Sequence, residues 1–312
     1  VCWLQRKTKA VDRKERIFVI GSDGQLALSL LEAASARNIT LEAFGPPSVD
    51  LTNPSSLEAP IRNFKPTVIV NAAAYTAVDA AEDNEDLARS INATGPEVAA
   101  QIADELDIPF IQVSTDYVFD GTKKDAYVED DPTGPQGAYG RTKLEGEDLV
   151  LSAANKAIVL RTSWVYSPFG KNFLKTMLML AKTRDELGVV ADQVGNPTYA
   201  PDIAEAILAI VEQIAQTGWR DEFRGVFHLA GTGTASWHEF AEAIFEAGTA
   251  HGLKRPHVKA LTTADYPTPA KRPANSRLDC SKLAETFGVH LPSWEQSMVM
   301  CVNRLSEAGE LG

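Results

Sequence analysis

Cysteine is nearly absent from this 312-residue chain: Cys2, Cys280 and Cys301 are the three it has. They lie far apart, with no CxxC pair and no Cys/His spacing of a metal site. So sparse and odd a set excludes a disulfide scaffold and suits a reducing, cytoplasmic setting. No apolar run approaches the ~20 residues that cross a bilayer, so no membrane partner is expected. Positive charge is also short: 30 Lys and Arg stand against 42 Asp and Glu, a net charge of −12. That balance excludes non-specific nucleic-acid binding, and any anionic ligand must be held by local donors. The histidines (His228, His238, His251, His257 and His290) fall at no ligand spacing, so no metal ligand is assigned; His228, in a strand-like run, reads as a core residue. What is present is ordinary globular usage, 44% hydrophobic and 23% charged, in a length that fits one large α/β domain with a smaller partner.

Residues 1–15 are basic, with Arg6, Lys7, Lys9, Arg13 and Lys14, and lack the apolar stretch of a signal peptide. They read as an arm outside the fold, disordered or a cloning remnant. Regular patterning starts at Arg16. Apolar strand candidates at 17–20, 39–44, 67–71, 109–114 and 157–162 alternate with helical stretches at 25–37, 54–64, 82–106 and 139–154. Continuous apolar strands between helices predict a Rossmann-like, doubly wound parallel sheet over 16–165. Residues 166–312 are less regular and are expected to form mainly a smaller substrate-binding lobe, with some segments returning to the sheet. Helices are expected at 172–182, 201–216 and 236–247, the last opened by a capping box of Ser236 and Glu239, and a strand at 225–230. Proline and glycine mark loops at 195–201 and 265–275, and 302–312 carries no strong pattern.

The turn Gly21-Ser22-Asp23-Gly24-Gln25-Leu26 joins the first strand to the first helix. Glycines there let backbone N–H groups approach a pyrophosphate at the positive helix end. The second strand ends in Phe44-Gly45 with no carboxylate for a ribose diol, so both NADH and NADPH are allowed. Asn71-Ala72-Ala73-Ala74 closes the third strand with side chains small enough for a flat ring to lie on the backbone. Tyr139 and Lys143 share a helix face at four-residue spacing, where an ammonium can lower the phenol pKa for acid–base work. Ser114-Thr115 ends the fourth strand, on the edge where such sheets bind ligands, and a hydroxyl there can stabilise a developing oxyanion.

The motifs GxxGQL (21–26), VDLTN (49–53), VNAAAYTAVDAAE (70–82), INAT (91–94), STDYVFDG (114–121), YGRTKLEGE (139–147), LRTSWVY (160–166), NFLKTML (172–178), DQVGNPT (192–198) and RPANSRLD (272–279) follow in one order. Together they resemble the extended short-chain dehydrogenase/reductases, and within them the dTDP-4-dehydrorhamnose reductase family. The resemblance implies an NAD(P)H-dependent reduction of a nucleotide-linked keto sugar. Thr115 would polarise the ketone, Tyr139 donate the proton, and Lys143 tune Tyr139 and hold the cofactor ribose. Gly21, Gly24, Gln25 and Leu26 would meet the pyrophosphate, Asp50 and Leu51 the adenosine side, and Ala72, Ala73, Ala74 and Tyr75 would line the cofactor cleft. Asp116 and Trp164 would lie against the sugar, with Asn172, Lys175, Arg272 and Arg277 toward the dTDP end. Ala27 and Gly137 depart from the family's usual glycine and asparagine. A homodimer and a bridging Mg²⁺ are family expectations only. Two alternatives stay open: a reductase of another nucleotide-linked 4-keto-6-deoxy sugar, and a non-catalytic dinucleotide-binding subunit similar to that of methionine adenosyltransferase.

Overall fold

A computed structural model describes residues 15–311; the basic arm lies, but for Glu15, outside the described residues. The first half lays down β1 (Arg16–Ile20), α1 (Gln25–Ala36), β2 (Thr40–Phe44), α2 (Glu58–Phe64), β3 (Val68–Asn71), α3 (Val78–Ala81), α4 (Glu85–Arg89), α5 (Gly95–Glu105), β4 (Phe110–Thr115), α6 (Ala138–Ala153) and β5 (Ala157–Thr162). The second half adds β6 (Val165–Tyr166), α7 (Phe173–Ala181), β7 (Glu186–Val190), β8 (Val194–Gly195), β9 (Thr198–Tyr199), α8 (Ala200–Thr217), β10 (Gly225–His228), β11 (Ala235–Ser236), α9 (Trp237–Thr249), β12 (His257–Leu261), α10 (Ser281–Phe287) and α11 (Trp294–Glu307).

Six strands form one parallel sheet in the order β10-β5-β4-β3-β1-β2. Its central strands carry apolar runs such as Ile17–Ile20 and Val68–Val70 because both faces are covered, while the edge strand β2 is only half-buried. Along β1, Ile17 and Val19 enter the layer built with α1 and α8, while Phe18 and Ile20 enter the layer with α2 and α5. After β2 the chain crosses to the other side of β1 to make β3, so the order reverses between β1 and β3. Open α/β sheets leave a crevice at the carboxyl ends of such a pair. A second core, around Tyr166, Leu178, Phe240, Phe245 and Met298, gathers α7, α9 and α11. α8 and β10 instead rejoin the main sheet and its core.

Three expectations need correction. The helix expected at 82–106 begins earlier, breaks after α3, and passes through a π-turn at Ser90–Thr94 before α5. The turn brings Asn92 inward, where its Oδ1 accepts the Tyr75 N–H at 2.8 Å and its Nδ2 donates to Thr142 Oγ1 at 3.1 Å. Residues 195–201 are not simply loop: β8 pairs with β11, β9 pairs with β6, and α8 starts at Ala200 with Pro201 in its first turn. The tail is also ordered to Glu307, because Trp294, Met298, Cys301, Val302 and Leu305 form a buried stripe on α11. The capping box of Ser236 and Glu239 is present.

Candidate active site

The carboxyl ends of β1, β3, β4 and β5, with the start of α6, enclose a cleft of about 680 Å³. Gly21 adopts φ +108°, a conformation L side chains rarely take, and the space beside it is filled by Ala73. Gly24 stands before α1 with no side-chain cap, and a side chain there would meet nothing within 4 Å. The free N–H groups of α1 therefore face open space of the kind a pyrophosphate occupies. Ala72, Ala73 and Ala74 continue this wall, so the cradle fits a dinucleotide.

Thr115, Asp116, Tyr139 and Lys143 all line the same cleft. Thr115 Oγ1 donates to Asp116 Oδ1 at 3.0 Å and accepts from Tyr117 N at 3.2 Å. Asp116 is buried, and among the described residues its Oδ2 has no hydrogen-bond partner; the same holds for Thr162 Oγ1, which also lines the cleft. Burial lifts the Asp116 carboxyl from 3.8 to about 6, against the opposing hydroxyls of Ser276 and Thr115. Lys143 Nζ donates to the Val113 carbonyl at 2.6 Å. Its burial brings the ammonium down to about 8, with Glu147 opposing. The Tyr139 phenol is pushed up to about 12 by burial, which Thr115 counters. Desolvation thus dominates at Tyr139, and the phenol is protonated at neutral pH.

Other candidates fall in different places. Gln25, Leu26, Trp164 and Asn172 line the cleft. Gln25 Oε1 accepts from Ser167 Oγ at 2.7 Å and Asn172 Nδ2 at 2.9 Å, and Asn172 Oδ1 caps α7. Asn172 therefore acts first as a structural clamp. Trp164 has φ +48°, uncommon for a bulky residue, and its indole stacks on Trp237 with ring centres 3.6 Å apart.

Asp50, Leu51, Tyr75, Lys175, Arg272 and Arg277 are not among the residues lining this cleft. Asp50 Oδ1 is taken by the Thr52 N–H and hydroxyl, and Leu51 is core. Tyr75 packs near Tyr139 against Ala81, Ala88 and Ala138. Lys175 pairs with Glu310 at 2.7 Å, beside a second cavity. Arg272 pairs with Asp79 at 3.1 Å, and Arg277 is held by Asn275 and the Lys124 carbonyl. Gly137 leaves α6 without its own cap; the Glu82 carboxylate, accepting the Ala138 N–H at 2.8 Å, takes that place. Ala27 is buried in the core under α1.

Sequence reasoning missed Thr162, Trp237 and Glu82. The LRTSWVY run pointed at the neighbourhood of the first; the other two meet the site only through tertiary contacts. Among the described residues no group of three or more His, Cys, Asp or Glu side chains is placed to hold a metal ion. No helix among them is long and apolar enough to cross a membrane.

Known proteins resemble this chain along nearly its whole length. A family described as RmlD substrate binding domain matches residues 15–307. A dTDP-4-dehydrorhamnose reductase of Sinorhizobium fredii is 48% identical over 282 residues, 90% of this chain and 95% of that protein. The Escherichia coli protein of the same name is 39% identical over 93% of this chain and 97% of its own length. Among solved structures, a dTDP-4-dehydrorhamnose reductase of Clostridium acetobutylicum superposes with a TM-score of 0.86 at 38% identity, covering 93% of this chain and 99% of that one. A Bacillus anthracis dTDP-4-dehydrorhamnose reductase in complex with NADP gives 0.84 at 34% identity, with the same coverage. The glycine turn, the Thr115-Tyr139-Lys143 set and this similarity along nearly the whole length agree: the chain belongs to the family of dTDP-4-dehydrorhamnose reductases.

Proposed function

We propose that this chain reduces dTDP-4-dehydro-β-L-rhamnose to dTDP-β-L-rhamnose, the last step of dTDP-L-rhamnose formation, using NADPH or NADH. The observation that carries the reading is the convergence of Thr115, Tyr139 and Lys143 on one cleft beside an open α1 N-terminus. A bound nicotinamide supplies the hydride for C4 of the sugar. Gly21, Gly24, Gln25 and Leu26 hold the pyrophosphate, with Ala72, Ala73 and Ala74 as the wall beside it. Tyr139 delivers its proton to the oxygen at C4. Burial makes this phenol a weaker acid than usual, yet an alkoxide is a stronger base than a phenolate, so the transfer still runs downhill. Thr115 turns its hydroxyl from Asp116 to the sugar ketone and stabilises the oxyanion as it forms. Lys143 places positive charge under Tyr139 and hydrogen-bonds the cofactor ribose. The unpartnered Asp116 Oδ2 and Thr162 Oγ1 are placed to take sugar hydroxyls, and Trp164 offers the flat face. Asn172, Lys175, Arg272 and Arg277 stay assigned to the dTDP end, the last three requiring a rearrangement to reach it. Asp50, Leu51 and Tyr75 stay assigned to the cofactor on the resemblance alone. Residues 16–165 form the cofactor domain and 166–312 mainly the substrate lobe. A cytoplasmic location follows the sparse cysteines, and a homodimer is carried by the resemblance alone.

The test is NAD(P)H oxidation by the purified protein with enzymatically generated dTDP-4-dehydro-L-rhamnose, both cofactors in parallel, and Tyr139→Phe as control. Turnover lost in the control supports the reading. Turnover with a different 4-keto-6-deoxy sugar nucleotide moves the substrate. Tight cofactor binding with no turnover at all moves the protein to a regulatory role.

A further inference from the structure

One turn beyond Lys143, α6 carries a third buried ionisable side chain that the reaction itself does not touch. Tyr139, Lys143 and Glu147 follow at four-residue spacing, which stacks them along one helix face. Glu147 is fully engaged. Arg161 Nε lies 3.0 and 3.1 Å from its two oxygens and Nη2 lies 2.6 Å from Oε2, while Ser114 Oγ donates at 2.5 Å. The two charged side chains are 2% and 4% exposed. Arg161 sits opposite Ser114 in the β4–β5 register, with its guanidinium 5.0 Å over the Phe119 ring. The pair therefore ties the end of β4, the end of β5 and α6 together, directly behind Thr115 and Thr162.

A buried ion pair gains little or no stability over an apolar pair of the same volume, so its use is sought in what lies beside it. That neighbour is Lys143, whose Nζ is bonded to the carbonyl of Val113, the residue before Ser114. Tyr139 and Glu147 flank Lys143 one turn away on α6; Ser114, Thr115 and Asp116 at the end of β4 line the same cleft as Lys143, and Arg161 on β5 pairs with Glu147. Glu147 is the charge that opposes the effect of burial on Lys143.

We propose that Glu147 is a positioning residue, which anchors β4 to the catalytic helix and keeps the buried Lys143 ammonium charged. The proposal rests on the role given above to Lys143. It explains why a buried carboxylate, fixed by Arg161 and Ser114, stands one helical turn from Lys143.

The experiment measures NADPH affinity by fluorescence quenching, and kcat/KM, across pH in the parent and in Glu147→Gln, Glu147→Asp and the double variant Glu147→Gln/Arg161→Met. In Glu147→Gln the alkaline limb of both profiles is expected to move down by about one pH unit, a tenfold change in the Lys143 proton equilibrium. Near pH 6, well below that limb, affinity is expected to stay within about threefold of the parent. Glu147→Asp, which keeps the charge, is expected to return the limb toward the parent position. The double variant removes both charges at similar volume and keeps the test open if the single variant does not fold; its limb is also expected to move down. A purely structural role would lower the thermal midpoint and scale activity equally at every pH. That result, or an unmoved limb in either Gln-containing variant, overturns the proposal. The binding profile is read without turnover, so a wrong sugar substrate would silence kcat/KM and leave this outcome readable.

Discussion

Replacing Gly195 by alanine asks whether Trp164 must sit where it does. Gly195, on β8, has no left-handed backbone to lose, so the substitution acts through volume alone. The added methyl would meet the Trp164 indole at 2.6 Å from Cε2 and 2.7 Å from Nε1. Ordinary contact begins at 3.4 Å, so the ring or the strand must move by about 0.8 Å. The ring has little freedom to give: it stacks on Trp237, which itself leans on Phe173 and Phe240. Overpacking of this kind costs ~1–3 kcal/mol. A displacement near 1 Å beside reacting groups costs on the order of 10²-fold in rate, so kcat/KM for the sugar nucleotide should fall by roughly 10- to 100-fold. NADPH affinity should hold, because Gly195 does not line the glycine turn. Steady-state kinetics with the sugar nucleotide varied, NADPH titration and thermal unfolding of one preparation separate these effects. An alanine variant with the parental kcat/KM refutes the assignment of Trp164 to the sugar. An equal loss of NADPH affinity refutes the claim that the damage is local.

Tyr139→Phe should retain NADPH affinity and lose turnover by ~10²–10⁴-fold; residual activity within tenfold of the parent removes the phenol from proton transfer. Lys143→Ala should weaken NADPH binding as well as turnover, and an unchanged dissociation constant contradicts the ribose contact. For Asp116 the folded pKa of about 6 exceeds the ordinary 3.8, so the neutral form favours folding. That contribution is complete below 3.8 and disappears as pH rises through about 6. Asp116→Asn should therefore be more stable than the parent near pH 8 by about 2–3 kcal/mol, and about level with it near pH 4, while losing turnover. Unfolding midpoints that differ equally at both pH values would refute this account.

The parallel sheet was legible because its strands are buried on both faces, which leaves unbroken apolar runs such as Ile17–Ile20, and because helices of ordinary length lie between them. Tyr139 and Lys143 were legible for a similar reason, since helical spacing alone places them together. The two-residue strands β8 and β9 exist only through their partners β11 and β6, and no local pattern announces them. The α11 stripe is diluted by Glu295, Gln296, Asn303 and Arg304, so the helix signal faded toward the C-terminus. Asp50 and Leu51 follow a proline pair and are placed on the adenosine side by the resemblance alone; in the structure the Thr52 N–H and hydroxyl bond Asp50, and Leu51 packs in the core. The pairing of Glu147 with Arg161 depends on the β4–β5 register, which spacing along the chain does not reveal. The raised Tyr139 phenol was not legible, because charges read from a sequence motif carry no information about desolvation.

The side chain of Gln25 has a consequence for the order of events in catalysis. It opens the helix that faces the dinucleotide, yet its amide oxygen accepts from both Ser167 and Asn172 of the second half of the chain. A ligand that presses on the start of α1 therefore also presses on the segment leading into α7. Where both ligands set this amide alike, linkage is reciprocal: whatever free energy the first spends on setting it, the second does not have to spend. Filling the dinucleotide end should sharpen affinity at the other by the same factor as the reverse, a heterotropic coupling carried by one glutamine.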